Sequence, residues 1–188
     1  MRVRECADRI TAYALCIGTL VTATGGCAWP FPWLPAGDDS SEFVPLSALE
    51  NSGEAVVRLY GTPILNIERL AIHPWFVVKS AEEVSFDRWE VWATADGPYG
   101  YVRLNLRSPT SAPLAGRVFV IAELIGPEAE PVVEFIETQS PNYPCCDCYL
   151  FYPGPNCNTY VQWVLDSTGW AVTLPPTAVG QAIPPICP

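Results

Sequence analysis

The fold of this chain is decided by residues 153–165, which read PGPNCNTYVQWVL. The rigid Pro/Gly turn at the start of this stretch ends at Asn156, a residue type that favours the N-cap of a helix. Apolar residues then recur with the spacing of one helical face, at positions 160, 161, 164 and 165. The stretch therefore predicts a helix that begins at Cys157, runs to about residue 166 or 167 and ends at Gly169.

Cys157 falls in the first turn of this predicted helix. Backbone N–H groups there have no partner within the helix, and the helix dipole is positive at that end, so both favour a thiolate. A cysteine in this position is a typical candidate nucleophile. The alternative interpretation is a structural cysteine, either buried or bonded in a disulfide, which is the commoner role of this residue type.

A thiol nucleophile needs a base within hydrogen-bond reach and a further group that orients the base. The only histidine of the chain, His73, lies in a predicted strand over residues 70–79. A lone histidine on a strand is more often a partly buried structural side chain. Glu90, set among aromatic and aliphatic residues of the next predicted strand, is the candidate for orienting the imidazole, with Asn105 on the third strand as the weaker alternative.

Antiparallel strands are predicted for the chain ahead of this helix. The second and third form a hairpin through residues 80–85, and Pro74 is expected to cause an irregularity because it lacks a ladder donor. The predicted strands are residues 55–60 (AVVRLY), 70–79 (LAIHPWFVVK), 86–94 (FDRWEVWAT) and 101–106 (YVRLNL).

The later part of the chain adds at least one more helix. Residues 128–138 predict a helix with a proline in its first turn, whereas the apolar run 118–125 fits helix or strand equally well. Residues 149–152 predict a short strand, and the tail from residue 174 is Pro-rich and extended. The fold class is therefore α+β, with an antiparallel sheet packed against one or two helices in a single domain.

The N-terminal segment indicates export rather than fold. Residues 1–28 have a basic start, a short apolar run and a small-residue end, the pattern of a signal peptide or an uncleaved signal anchor. A lipidated Cys27 is a further alternative. Residues 29–53 are Pro-rich and then acidic and predict a linker, so the folded domain is expected over 54–188. We therefore expect an extracytoplasmic protein (secreted, periplasmic or membrane-anchored) that meets the membrane only through its N-terminal segment.

Charge excludes two classes of partner. The chain has 188 residues and carries 20 acidic against 10 basic ones, a net charge of -10. Nucleic acid and an anionic membrane surface both require a basic protein face, so neither is the expected partner. No cofactor is implied by any motif.

Five cysteines follow the N-terminal segment, and an odd number leaves one thiol free if two disulfides form. Cys157 is the candidate for that thiol. Disulfides, one of them tying the cluster to the tail, are favoured over a metal site because CCxC lacks the C-x2-C spacing that zinc prefers. The five residues are Cys145, Cys146, Cys148, Cys157 and Cys187.

Six stretches of the chain resemble the bacterial DUF3750 family, in the family's own order from about Glu54 to Gln181. The most specific part is PGPNxNT followed by PPTAxG; the histidine strand alone is a weak signal. The stretches are residues 57–60 (VRLY), 70–79 (LAIHPWFVVK), 88–92 (RWEVW), 131–137 (PVVEFIE), 153–161 (PGPNCNTYV) and 174–180 (LPPTAVG).

That family is in turn similar to the circularly permuted branch of NlpC/P60-like, papain-fold proteins, in which the histidine strand precedes the cysteine helix as His73 precedes Cys157. The Asn-Cys opening of the helix also resembles the permuted lecithin:retinol acyltransferase group. The resemblance implies a permuted papain-like α+β domain. Most members of the family have serine at the position of Cys157. The resemblance therefore does not imply cysteine catalysis as a general trait of the family, although this chain carries the residue that a papain-like site needs.

Two functions remain open from the sequence. The first is a cysteine hydrolase or acyltransferase acting on an amide, ester or thioester, with Cys157 as nucleophile, His73 as base and Glu90 as orienting acid. Cell-wall peptides or lipid acyl groups are the substrate classes that the resemblance implies. The alternative is a non-catalytic envelope or secreted domain that keeps the papain-like fold for binding or structure.

Overall fold

The computed structural model describes residues 44–64, 70–113 and 116–187. The expected signal segment, residues 1–28, and the first part of the expected linker, residues 29–43, lie outside the described residues. No helix within the described ranges is long and apolar enough to cross a membrane.

A five-stranded antiparallel sheet forms the centre of the domain. Its strands follow one another in space in the order β4-β3-β2-β1-β5, so the last strand of the chain pairs with the first. The strands are β1 (Val56–Pro63), β2 (Ile72–Lys79), β3 (Asp87–Val91), β4 (Val102–Leu104) and β5 (Phe119–Ile125).

The pairing of β1 with β2 runs without a break from Val56 opposite Lys79 to Pro63 opposite Ile72. The irregularity expected at Pro74 is therefore wrong, because the ladder continues through that residue, which lies opposite Gly61. The register shift of the sheet falls instead between β1 and β5, at Leu59 and Tyr60 of β1.

Helices cover one face of the sheet. Beside it lie α2 (Glu130–Gln139) and α3 (Cys157–Thr168), with a 3-10 turn, Ser140–Asn142, directly after α2. Apolar side chains of both helices and of alternate strand positions form the main core. Its members include Val57, Leu59, Ile72, Phe76, Val78, Trp89, Val91, Val133, Ile136, Tyr160, Val161 and Val164.

The opposite face of the sheet carries a second, smaller apolar cluster. It is built from the other alternate positions of the strands together with the first helix, α1 (Leu46–Glu50), whose Leu49 is buried there. The predicted linker therefore ends earlier than residue 53, because residues 46–50 pack as part of the domain. The remaining members are Val56, Tyr60, Trp75, Val77 and Phe86.

The α+β class is confirmed, with two further differences from the predicted elements. The ambiguous run at 118–125 is the edge strand β5, since it finds its partner in β1. The strand predicted over 149–152 is wrong: this segment is irregular and leads into the turn before α3. The helix itself begins at Cys157 as predicted and ends at Gly169, whose φ of 70° is the left-handed conformation that suits glycine.

Candidate functional site

A complete capping box starts α3. The side-chain oxygen of Asn156 accepts from the backbone N–H groups of Asn158, at 2.9 Å, and Thr159, at 3.4 Å. The Thr159 hydroxyl in turn accepts from the backbone N–H of Asn156 at 3.1 Å. These bonds fix the first turn of the helix and with it the backbone of Cys157.

The Pro-rich tail braces this helix start from outside. Asn156 Nδ2 donates to the Val179 carbonyl at 3.1 Å, and Asn158 Nδ2 donates to the same carbonyl at 2.9 Å. The Thr159 hydroxyl donates to the Gly180 carbonyl at 2.8 Å. The PGPNxNT and PPTAxG segments are thus hydrogen-bonded to each other, which gives a physical reason for the presence of both motifs in one chain.

Two hydrogen bonds attach the same region to the strand that bears His73. Asn158 Nδ2 lies 3.3 Å from the carbonyl oxygen of Ile72, the residue before the histidine. The backbone N–H of Ile72 donates to the Thr177 carbonyl of the tail at 3.0 Å. The start of α3, the tail and the start of β2 therefore form one hydrogen-bonded unit.

His73 and Glu90 are hydrogen-bonded, with 2.8 Å between Nε2 and Oε2. Arg88 holds the same carboxylate: its Nη2 donates to Oε2 at 2.9 Å and its Nε lies 2.9 Å from Oε1. The guanidinium also lies 4.2 Å from the centre of a Trp75 ring. Glu90 and Arg88 are both fully buried, so this is an ion pair out of contact with water.

The charge on Glu90 survives burial because of these partners. Burial by itself raises the pKa of the carboxyl, but the hydrogen bond and charge of His73 and the charge of Arg88 outweigh it and lower the pKa below its usual value. An ionised carboxylate only accepts hydrogen bonds, so His73 Nε2 must carry the proton. In the neutral imidazole, Nδ1 is then the ring nitrogen without a hydrogen and can accept a hydrogen bond.

Burial dominates the chemistry of Cys157. The residue is 4% exposed, and burial raises the pKa of its thiol to about 12, although the backbone N–H groups of Asn158 and of Cys157 itself act in the opposite direction. The negative charge of Glu90 adds to the increase. The expectation of a thiol activated by the helix terminus is therefore wrong for the ligand-free protein, because desolvation outweighs the dipole.

One cavity of about 180 Å³ is lined by two of the three candidate residues. Both His73 and Cys157 line it, at the end of the sheet where β1 and β3 finish and β2 begins. Trp92 packs edge-on against the imidazole with 5.1 Å between ring centres. Tyr149, from the irregular segment before α3, also lines the cavity, and burial and the neighbouring Cys157 raise the pKa of its phenol.

The thiol and the imidazole reach this cavity from different faces of the sheet. Cys157 belongs to the helix-side core, whereas His73 stacks on Trp75, a member of the opposite cluster. The His73 imidazole hydrogen-bonds to Glu90, and among the described residues no hydrogen bond joins the imidazole to the Cys157 thiol.

Asn105 is not part of the site. Its side chain accepts from the backbone N–H of Arg88 at 2.7 Å and donates to Asp87 at 2.6 Å, and its φ is 52°. These features belong to a residue that shapes the chain after β4. Glu90, the preferred candidate, is the residue that contacts the imidazole.

Sequence reasoning missed two residues of the site. Arg88 stands two positions before Glu90 on one strand, so the two-residue period of a strand already places both on the same face. Thr62, which also lines the cavity, lies opposite His73 in the β1–β2 pairing. That neighbour follows only from the register, which the sequence does not specify to one residue.

The remaining cysteines form a separate group. The Cys187 thiol contacts Cys145 and Cys148 and lies 3.7 Å from the Pro144 carbonyl. Cys145, Cys157 and Cys187 are thiols, so the disulfide expected between the cluster and the tail is not formed here, although the partners are in contact. Within the described ranges, no three histidine, cysteine or carboxylate side chains are arranged to hold a metal ion.

Comparison with curated proteins and with solved structures gave no significant match. Residues 54–183 match the family described as "Protein of unknown function (DUF3750)". The match covers more than half of the chain and runs from the residues before β1 through the tail that braces α3. The chain therefore belongs to the DUF3750 family.

Proposed function

We propose that this protein is an extracytoplasmic cysteine hydrolase or acyltransferase that acts on an amide, ester or thioester. Cys157 is the nucleophile, His73 the general base and Glu90 the residue that orients the base. The observation that carries the proposal is that one small cavity is lined by the thiol and by an imidazole bonded to a buried, ionised carboxylate. A buried acid oriented on a histidine beside a nucleophile is the arrangement that acyl transfer uses.

The chemical step couples proton transfer from the thiol to nucleophilic attack. The proton passes from Cys157 Sγ to His73 Nδ1 as sulfur attacks the carbonyl carbon, and the carbonyl oxygen becomes an oxyanion. The backbone N–H of Cys157 lies beside the sulfur and is the donor available to that oxyanion, because the N–H of Asn158 already donates to Asn156 Oδ1. The imidazolium returns its proton to the leaving group, and a thioester forms on Cys157. Water or an acceptor alcohol or amine then takes the acyl group.

The high pKa of the Cys157 thiol shapes this mechanism. With a pKa of about 12, a resting thiolate is a negligible fraction at neutral pH, so proton transfer must accompany attack. Glu90 keeps the imidazole in the tautomer that can accept, and Arg88 keeps Glu90 ionised. Substrate must also bring the imidazole and thiol into direct contact, as catalytic hydrogen bonds often tighten only in the substrate complex.

We further propose that the domain is a circularly permuted papain-like fold of the NlpC/P60 kind. In support, the histidine strand β2 precedes the cysteine helix α3 in the chain, and the start of α3 is bonded to the start of β2. Cell-wall peptides and lipid acyl groups are the substrate classes that this relationship suggests.

The test is acylation of the protein by p-nitrophenyl acetate, followed by intact mass and peptide mapping. We expect an acetyl group on Cys157, beside any direct acetylation of the more exposed Cys146, and only the latter in Cys157→Ala. His73→Ala should slow acetylation of Cys157 by a factor of about 100 or more, since a positioned general base contributes that much. Cys146→Ala, which alters a cysteine outside the cavity, is the control and should leave acetylation of Cys157 unchanged. Acetylation that spares Cys157, or acetylation of Cys157 that is unaffected by His73→Ala, contradicts the enzyme.

A non-catalytic binding or structural domain is the second candidate. It is favoured by the protonated, buried thiol and by the placement of Cys157 and His73 on different sides of the sheet. The same measurement separates the two: a folded protein whose Cys157 resists acetylation by every ester, thioester and amide tried is a binding or structural domain.

A further inference from the structure

Three cysteine sulfurs lie together where the C-terminal tail passes the segment before α3. The Cys187 thiol contacts both Cys145 and Cys148, and its sulfur lies 3.7 Å from the Pro144 carbonyl oxygen. A disulfide joins only two sulfurs, so one of the three is left over whichever pair is bonded. A further sulfur in contact with a disulfide is the arrangement from which thiol–disulfide exchange proceeds.

Cys145 and Cys148 are the two ends of one turn. The backbone N–H of Cys148 donates to the Cys145 carbonyl at 3.3 Å, and residues joined in this way lie within about 7 Å of each other between Cα atoms. The turn is attached to the chain before β4, since the N–H of Tyr101 donates to the Cys146 carbonyl at 2.7 Å. Gly100, with a φ of 64°, permits this approach, because a Cβ there would collide with the same carbonyl oxygen. The turn therefore presents two alternative partners to one cysteine of the tail.

Burial affects the chemistry of these sulfurs. Burial, and next the neighbouring Cys145, raise the pKa of the Cys187 thiol to about 12, and burial also raises the pKa of Cys145. The charge of Asp147 acts in the same direction on both. A thiol of high pKa is a poor leaving group, so external thiols reduce such a disulfide slowly. Attack by the third sulfur is intramolecular, and its proximity favours exchange within the group over reduction from outside.

We propose that Cys145, Cys148 and Cys187 form a thiol–disulfide exchange site that is oxidised by low-molecular-weight disulfides. Cys187 is bonded either to Cys145 or to Cys148, and the remaining sulfur interconverts the two states by attacking the Cys187 sulfur. The site is independent of the proposed enzyme, because Cys157 takes no part in it.

The two steps balance as follows. In the oxidation, two protein thiols give up two protons and two electrons to form the bridge, and one external disulfide takes them up and becomes two thiols. In the exchange, the thiolate of Cys148 attacks Cys187 Sγ, and the bond between Cys145 and Cys187 breaks as the new bond forms. Cys145 leaves as a thiolate and takes up the proton that Cys148 released. The exchange involves no net oxidation, so it continues after the oxidant is removed.

The test is to oxidise the full chain with oxidised glutathione or with diamide, remove the reagent, and follow the positions of the bridge over time. Samples are quenched in acid with N-ethylmaleimide and cleaved at aspartates. Asp147 lies between Cys145 and Cys148, so cleavage there places the two possible bridges in different peptides. We expect both bridges to Cys187, in a ratio that converges on one value from the two oxidants, because an equilibrium does not depend on its starting point.

The controls identify the bonded residues. Cleavage at aspartates leaves Cys146 with Cys145 and Cys157 with Cys148. The double variant Cys146→Ser, Cys157→Ala should therefore keep both bridges in the same ratio. Cys145→Ser and Cys148→Ser should each lose one bridge and keep the other, and Cys187→Ser should lose both.

Three results on the unaltered protein would overturn the inference, and none of them depends on whether a variant folds. They are oxidation that leaves Cys187 outside every bridge, a single bridge that persists however long the sample is incubated, and a ratio that stays where each oxidant left it. Acetylation of Cys157 tests the enzyme alone, so either proposal can fail without the other.

Discussion

At the scale of single residues, Glu90 carries the most consequential charge of the site. It is fully buried, and both of its oxygens are held by cationic or protonated partners, Arg88 and His73. Isolated buried charges are strongly unfavourable, so the three side chains stabilise the fold only as a set. The same bonds that orient the imidazole thus also make Glu90 structurally necessary.

Replacing Glu90 with Gln should lower the free energy of unfolding by about 3 kcal/mol, because Arg88 would keep its charge in a dry site without an anion. Urea unfolding at pH 7 measures the change, and Glu128→Gln, at an exposed position, is the control. The pKa of Glu90 is lowered by folding, so its stabilisation is present above the ordinary glutamate pKa of about 4.3 and is lost as pH falls through the folded value. A loss below about 1 kcal/mol at pH 7 contradicts this account.

Cys157 should react slowly with iodoacetamide in the folded, ligand-free protein. Its thiol is buried and its pKa is raised to about 12, so labelling at pH 6 to 8 should favour the more exposed Cys146. Peptide mapping after a timed exposure measures the order of reaction. Unfolding in urea should remove the difference, which controls for intrinsic reactivity. Fastest labelling of Cys157 at pH 6 would show that the helix terminus prevails over desolvation after all.

At the scale of elements, the start of α3 is held by more than an ordinary cap. Asn156 bonds forward into the helix and also outward to the Phe151 carbonyl and to the tail, so its amide joins three segments. The residue is 4% exposed, which means that water cannot replace these bonds if the side chain is removed.

Asn156→Ala should therefore cost about 2 kcal/mol or more of unfolding free energy, above the roughly 1 kcal/mol typical of an exposed N-cap. Asn142→Ala is a matched control, because Asn142 is exposed at the end of the 3-10 turn and should cost less than about 0.5 kcal/mol. Chemical denaturation measures both. Equal effects for the two variants would mean that the bonds to the tail contribute nothing.

Glu137 on α2 should give the protein a pH-dependent stability in the mildly acidic range. Burial, and next the charges of Glu83, Asp87 and Glu130, raise its pKa to about 6. The folded state then binds the proton more tightly than the unfolded chain, so this contribution stabilises below the ordinary value near 4.3 and is lost as pH rises through about 6. Glu137→Gln should flatten that slope and raise the unfolding free energy at pH 7 by no more than about 1 kcal/mol, since the group is partly exposed. Glu134→Gln, exposed on the same helix, should leave the slope in place.

The elements themselves were predicted where local chemistry is strong. The predicted bounds of α3 are confirmed to within a residue or two. They depend on the Asn156 N-cap, the apolar face of the helix and the Gly169 C-cap, which all act within one segment. The segments over 118–125 and 149–152 gave an ambiguous and a wrong prediction, respectively. A short apolar run forms a strand only if a neighbouring strand has unpaired backbone groups along one edge. The strand β1 offers such an edge to β5 but not to the segment before α3.

At the scale of the whole molecule, the C-terminal tail connects three regions that are distant in sequence. It bonds to the start of α3 and to the start of β2, and its Cys187 reaches the thiols of Cys145 and Cys148. A covalent bond at Cys187 should therefore stabilise the surroundings of the cavity as well.

Oxidation with oxidised glutathione should join Cys187 to Cys145 or Cys148, each protein disulfide forming as one glutathione disulfide is reduced to two thiols. We expect a free energy of unfolding higher by about 2 kcal/mol or more than in the reduced protein. Mapping of the bridged peptides and urea unfolding measure the two effects, and Cys187→Ser is the control. Cys157 should remain a thiol; recovery of Cys157 in the bridge would remove the nucleophile and contradict the proposed enzyme.

The amino-acid sequence by itself determined the class of the domain, the boundaries of α3, the hairpin of β2 and β3, and the choice of Cys157, His73 and Glu90 as candidates. These depend on capping, periodicity and residue chemistry, which act over a few neighbouring positions. Only the tertiary structure decided that Glu90 is held by Arg88, that Thr62 lies opposite His73, and that burial raises the pKa of the Cys157 thiol. Strand register and desolvation arise from partners far away in the chain, and both set the pKa values and the hydrogen-bond partners from which function follows.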